Sequence, residues 1–154
     1  MSDITIIIPF LNEGTTLRQT MEMLIKQSLK AKKIIMIDSG STDDSANIIN
    51  EYVSKKNNNV ELVQPMLGNP SSSINFGIKN TTTKYLAYID CGLQIPINWL
   101  ESQYEKIKKH NNMIVSTQIY TEGTNALDKS LVAQTYGYKN TTICLPGTLI
   151  NMNL

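Results

Sequence analysis

The segment Lys33-Ile-Ile-Met-Ile-Asp38-Ser-Gly-Ser-Thr-Asp43 constrains the fold of this chain more than any other. Its apolar run, closed by a polar turn, predicts a buried strand. Gly40 permits a sharp turn, and Ser41 or Thr42 can cap a helix that begins there. Asp43 and Asp44 then fall in the first turn of that helix, where the positive end of the dipole favours carboxylates. Asp38 is left at the carboxyl end of a strand, the edge at which open α/β sheets bind ligands. A carboxylate so placed accepts hydrogen bonds from base imides or ribose hydroxyls. The pattern therefore predicts nucleotide recognition rather than a phosphate cradle.

The same alternation recurs along the chain. Ile4-Thr-Ile-Ile-Ile-Pro9 predicts a strand that Pro9 ends, because a proline cannot donate to the ladder. The polar turn Asn12-Glu13-Gly14 leads to a helix capped at Thr15 or Thr16, with Leu17, Met21, Leu24 and Ile25 at helical spacing. The second helix carries Ala46, Ile49 and Val53 on one side, Asn57-Asn58-Asn59 is a turn, and Val60 to Val63 is a short third strand. Gly68 to Ser73 is a loop opening a helix that contains Ile74, Gly77 and Ile78. Lys84 to Asp90 is the best-defined later strand, and Pro96 begins a helix carrying Trp99, Leu100, Tyr104 and Ile107. Met113 to Thr117 reads as a further strand and Asn125 to Tyr136 as a further helix. Strands alternating with helices predict an α/β fold with a mostly parallel sheet covered on both faces. No repeat or interior linker divides the chain, so residues 1–154 are expected to form a single domain.

Bulk properties remove several functions. A net charge of +1 gives no reason to expect a nucleic-acid partner. The clusters Lys30, Lys32, Lys33 and Lys106, Lys108, Lys109 read as solvated faces, and His110 as a complement to a helix C-terminus. Cys91 and Cys144 form no Cys-x-x-Cys pair, and no signal peptide is visible, so both are expected to be reduced thiols in a cytoplasmic protein. No apolar run approaches the ~20 residues that a membrane helix needs.

Three polar segments follow predicted strands: Pro9 to Glu13, Asp38 to Ser41 and Asp90 to Gly92. Each alone could be turn chemistry. Right-handed crossovers bring all three to one sheet edge, and together they predict a ligand site. The first of them, Pro9-Phe-Leu-Asn-Glu-Gly14, lacks the Gly-x-Gly-x-x-Gly of dinucleotide folds. A Gly-Lys-Ser/Thr P-loop, a Gly-x-Ser-x-Gly elbow and zinc-like Cys/His spacing are also absent.

Ile4 to Glu13, then Gln27, then Ile37 to Asp43, resembles the opening of a family 2 glycosyltransferase of the GT-A fold. The resemblance continues through Asn75 to Ile78, Tyr85 to Asp90 and Pro96 to Leu100. It implies a Rossmann-like sheet flanked by helices, and transfer of a sugar from a nucleotide-diphosphate donor to a saccharide or lipid-linked acceptor. By resemblance, Pro9, Phe10 and Leu11 line the base pocket, Glu13 holds that loop or the nucleotide, and Asp38 and Ser39 meet the base or ribose. Asn75 stands in a later donor-site block, and Asp90 stands in the family's Asp-x-Asp motif near the ribose and a divalent metal. Mg²⁺ or Mn²⁺ there would neutralise the leaving diphosphate through hard oxygen ligands.

The chain departs from the family pattern in several places. Asp90-Cys-Gly92 lacks the second carboxylate, which weakens the expected metal site. Ile74 replaces an arginine often found there, and the chain's one arginine, Arg18, lies in the first helix. Pro146 to Met152 resembles the segment before the acceptor half, much of which is absent from these 154 residues. An inverting transfer needs a general base. Downstream of Asp90 the carboxylates are Glu101, Glu105, Glu122 and Asp128; the first two read as solvated helix charges, leaving Glu122 and Asp128 by elimination. The alternative to an enzyme is a catalytically degenerate binding or interaction module of the same fold. A truncated sheet edge or uncovered apolar face also invites homo-oligomers.

Overall fold

The computed structural model of the protein describes residues 2–55, 59–65, 68–111, 113–117 and 146–153. Strands β1 (Ile4–Phe10), β2 (Lys33–Asp38), β3 (Val60–Val63) and β4 (Tyr85–Tyr88) run parallel. Strand β6 (Thr148–Asn151) is antiparallel to both β4 and β5 (Ile114–Ser116). All six make one sheet in the order β3-β2-β1-β4-β6-β5. The α/β class and the mostly parallel sheet agree with the sequence pattern. Strand β6 was not foreseen as a strand, because its four residues carry no period that separates them from a loop.

All seven residues of β1 are buried, as a central strand covered on both faces requires. Alternation along it divides the core in two. Ile4, Ile6, Ile8 and Phe10 belong to a cluster with α1 (Leu17–Ile25), α2 (Ser45–Val53) and α4 (Trp99–His110). Ile7 joins Ile35, Ile37 and Leu86 in a second cluster under α3 (Pro70–Lys79). Gly77 explains how α3 lies so close: a Cβ there would come within 2.7 Å of Ile37 Cδ1 and 3.0 Å of Ile7 Cδ1.

Several boundaries differ from the sequence reading. Strand β1 runs through Pro9 to Phe10 rather than stopping at Pro9. Ile7 bonds toward β4 (Ile89 N to Ile7 O, 3.4 Å) and Phe10 toward β2 (Ser39 N to Phe10 O, 2.9 Å), so Pro9 turns its missing donor toward β4. The β1–β4 ladder therefore has no next rung, and the two strands part where β4 ends at Tyr88, two residues before Asp90. Helix α2 begins at Ser45, not at Ser41 or Thr42, and buries Ser45, Ile48, Ile49 and Tyr52 while Val53 is exposed. Helix α4 begins at Trp99, three residues after Pro96. His110 does close α4, with Lys108 and Lys109 in the same last turn. The turn at 57–58 and the helix expected over Asn125 to Tyr136 lie outside the described residues.

Candidate functional site

The loops after β1 and β2 are laced together. Asn12, in the left-handed region at φ 55°, donates its N–H to Ser41 Oγ (2.9 Å) and accepts from Thr42 N at its side-chain oxygen (2.8 Å). Glu13 N donates to Ser45 Oγ (2.9 Å), and Gly14 N to Asp43 Oδ2 (3.1 Å). These long-range bonds explain why Ser41 and Thr42 do not cap α2. Their polar groups serve the neighbouring loop, and Asp43 Oδ1 takes Ser45 N (3.0 Å) at the helix start instead. The bonds that Asp43 accepts from Ser45, and then from Gly14, hold its carboxyl below the usual range.

Asp38 lies at the end of β2 with only 1% of its surface exposed. Its Oδ1 accepts Gly40 N (3.1 Å) and Ser41 N (2.8 Å), and its Oδ2 accepts Gln64 Nε2 (3.0 Å). Burial pushes its pKa up, but the bonds from Ser41, Gln64 and Gly40 outweigh burial and leave it below the ordinary carboxylate value. Gly40, at φ 114°, makes the turn that delivers those two amides. Ser39 is buried beside it, and its hydroxyl shares a 2.7 Å bond with that of Ser73 on α3.

Where β1 and β4 part, a cavity of about 570 Å³ opens, lined by Pro9, Phe10, Leu11, Glu13, Tyr88, Asp90, Cys91 and Leu93. Five residues singled out from the sequence therefore share one cavity: Pro9, Phe10, Leu11, Glu13 and Asp90. Asp38 and Ser39 stand behind it, holding the adjacent turn. Asn75 stands exposed on α3 and is not among the lining residues. Tyr88, Cys91 and Leu93 were missed as site residues. Tyr88 had a signal, since two residues before Asp90 on a strand means the same side.

Glu13 and Asp90 are the carboxylates of this cavity. Glu13 Oε2 accepts the Thr16 hydroxyl at 2.5 Å, and Asp90 Oδ1 accepts the Tyr88 hydroxyl. Burial, then the charges of Glu13 and Asp90, push the Cys91 thiol up to about 12, so it stays neutral and inert at ordinary pH. Gly92, at φ 80°, donates its N–H to Thr20 Oγ1 (3.1 Å). The buried Gln27 anchors the chain beyond, through Nε2 to Pro96 O (2.9 Å) and Oε1 from Leu100 N (3.1 Å). The carboxamide thereby ties the end of α1 to the start of α4.

Other charged candidates are engaged elsewhere. Arg18 makes bonds of 2.6 and 2.8 Å to Glu51 on the surface. Glu101 accepts the Ser28 hydroxyl (2.7 Å) and borders, with Glu105, a separate surface groove. Glu122 and Asp128 lie outside the described residues. Among the described residues, no group of three or more His, Cys, Asp or Glu could hold a metal ion. By type, carboxylate oxygens are the donors that a hard divalent cation takes. Mg²⁺ commonly takes one or two carboxylates and completes its shell with phosphate and water. Asp90 and Glu13 are the two carboxylates on the cavity wall.

The chain matches the family model described as glycosyl transferase family 2 over residues 5–151. It is 33% identical over 131 residues to a cholesterol galactosyltransferase of Borreliella burgdorferi, covering 84% of this chain and 36% of that one. Over 124 residues it is 30% identical to the minor teichoic acid biosynthesis protein GgaA of Bacillus subtilis, covering 76% of this chain and 28% of that one. Among solved structures, S. aureus TarS 1-349 in complex with UDP-GlcNAc matches with a TM-score of 0.68 at 21% identity, covering 82% of this chain and 36% of that one. The mannosyltransferase PcManGT of Pyrobaculum calidifontis, in complex with GDP-Man and Mn²⁺, matches with a TM-score of 0.69 at 17% identity, covering 77% and 36%. At such identities the two structures speak for the fold alone. The chain thus spans between 28% and 36% of the length of these relatives.

Proposed function

This chain belongs to glycosyl transferase family 2, and on that premise we propose that its strand-end cavity binds a nucleotide-diphosphate sugar for transfer, with inversion, to a saccharide or lipid-linked acceptor. The observation that carries the proposal is the opening between β1 and β4, where Pro9, Phe10, Leu11, Glu13 and Asp90 surround a cavity of about 570 Å³. That volume is within the usual range for small-molecule sites. Pro9, Phe10 and Leu11 offer the apolar wall for a base. Asp38 supports that wall by holding the Gly40–Ser41 turn, which in turn fixes Asn12 through Ser41. Ser39 ties the same turn to α3. Asn75, exposed on α3 and outside the cavity lining, keeps its donor role only by resemblance.

Asp90, with Glu13 facing the same space, would hold Mg²⁺ or Mn²⁺. Such an ion supplies charge neutralisation for a departing diphosphate. The chain's own groups contribute placement: the Asn12–Thr42 and Gly14–Asp43 bonds keep the base wall from shifting, and Gln27 fixes the segment that follows Leu93. No helix among the described residues is long and apolar enough to cross a membrane. The proton-accepting base belongs, in this reading, to the acceptor side.

Melting curves with UDP-, GDP- and CDP-sugars, each with and without MnCl₂, test the proposal. A donor at a hundredfold excess over its Kd should stabilise the protein by about 2.7 kcal/mol. No shift with any nucleotide sugar sinks the assignment. A second reading, a GT-A-like binding module, draws on Gly92 in place of a second carboxylate. Donor binding with no release of nucleoside diphosphate, in the presence of acceptor extracts and Mn²⁺, would favour it.

A further inference from the structure

The two carboxylates of the cavity share an arrangement that the family resemblance did not call for. Each has one oxygen covered by a hydroxyl from its own segment: Thr16 donates to Glu13 Oε2, and Tyr88 donates to Asp90 Oδ1. Neither Glu13 Oε1 nor Asp90 Oδ2 takes a hydrogen bond from the described residues. A carboxylate on a single rotatable stem is a poor ligand until something fixes its rotamer, and partners in the outer shell usually do this. Where a second aspartate could have shared the task, this chain has Gly92, which can neither orient Asp90 nor bind in its place.

We infer that Tyr88 is a positioning residue for Asp90, its hydroxyl fixing one carboxylate oxygen so that the other is presented to a divalent cation shared with the donor diphosphate. The inference rests on the donor-site reading above. Strand geometry makes the pairing possible. Tyr88 is the last residue of β4, and Asp90, two positions on, leaves the sheet from the same side. The ring is held in place by its own burial at 6% exposure, so the hydroxyl is a fixed donor and not a swinging one. Phenylalanine at this position would keep the ring and remove the hydroxyl that bonds Asp90.

The test compares wild type, Tyr88→Phe and Asp90→Asn by titration calorimetry with UDP and with GDP, in MnCl₂ and in EDTA. In Tyr88→Phe the gain in nucleotide affinity conferred by Mn²⁺ should shrink about 10- to 100-fold, as loss of an outer-shell partner typically does. Nucleotide affinity in EDTA should stay at the wild-type value, which a general loosening of the fold would not spare. Asp90→Asn should lose the Mn²⁺ gain at least as severely. Should Asp90→Asn lose it while Tyr88→Phe keeps it, the positioning role is overturned and the donor site stands. If Asp90→Asn also keeps it, or if neither nucleotide binds wild type, the cation site itself fails and this inference with it. Where Tyr88→Phe melts too early to titrate, ¹³C-labelled tyrosine spectra of the wild type replace it. The Tyr88 ring carbon bearing oxygen must then shift on adding Mg²⁺ with nucleotide, and must not do so in Asp90→Asn; a silent resonance in wild type overturns the role.

Discussion

Asp38 closes β2, and Asp90 lies two residues past the end of β4, the two strands that flank β1. Their surroundings are opposite. Asp38 is 1% exposed and accepts three hydrogen bonds, from Gly40, Ser41 and Gln64. Asp90 lines the cavity and accepts one, from Tyr88, among the described residues. An ionised carboxylate has about four acceptor sites, so the first is nearly saturated by protein and the second keeps most of its sites open toward the cavity. The same residue type on either side of β1 thus does different work. Asp38 builds a wall, and Asp90 faces what the wall encloses.

The largest test of that contrast removes the wall. Asp38→Ala leaves the amides of Gly40 and Ser41 and the Gln64 carboxamide without their acceptor, and should cost roughly 3 kcal/mol of stability in urea denaturation. A loss below about 1 kcal/mol would mean that water replaces the carboxylate, and the contrast with Asp90 would collapse. Asp90→Ala should do the reverse. Stability without ligand should fall by no more than about 1 kcal/mol, since one hydroxyl loses its acceptor beside the cavity, while some 2 kcal/mol of the nucleotide-sugar stabilisation measured with Mn²⁺ disappears. If the ligand-free protein melts much earlier instead, Asp90 is a structural residue like Asp38.

Gly92→Asp sharpens the open side. A Cβ at position 92 would meet Thr16 Cγ2 at an ordinary 3.6 Å, but φ is +80°. The variant should lose about 1 kcal/mol to backbone strain and gain about tenfold in Mn²⁺ affinity, read by titration with UDP present. Unchanged affinity would place the cation away from this loop.

The smallest effect is a pH slope. Asp38 has its folded pKa depressed below the ordinary 3.8, so its stabilisation is present above that value and is lost as pH falls through the folded pKa. Acid denaturation profiles should steepen below about pH 4 in wild type and flatten in Asp38→Asn. Equal slopes would mean that Asp38 titrates alike in both states.

Much of the fold was legible locally. The apolar runs at Ile4, Lys33 and Lys84 became strands, and Leu17, Met21 and Leu24 became the buried stripe of a helix. The motif blocks at Pro9 to Glu13 and at Asp90 also led to the cavity. What was misread had distant causes. Ser41 and Thr42 looked like caps because they precede a helical pattern, yet their partner is Asn12, 29 and 30 residues away. Tyr88 does belong to a strand, but its bond to Asp90 went unread because that side-chain contact has no local pattern to announce it.

The sequence by itself determined the alternation of strands and helices, the glycine turn after Asp38, the family, and which segments reach the edge where the cavity opens. These follow from local pattern and short motifs, in which each residue's preference is set by near neighbours. Only the tertiary structure decided which carboxylate is nearly saturated and which, among the described residues, accepts a single bond. Gln64 reaches Asp38 across 26 residues, and Pro9 parts β1 from β4 in front of Asp90. Hydrogen-bond satisfaction depends on groups that folding brings together, so two aspartates alike in sequence context became a support and a candidate ligand.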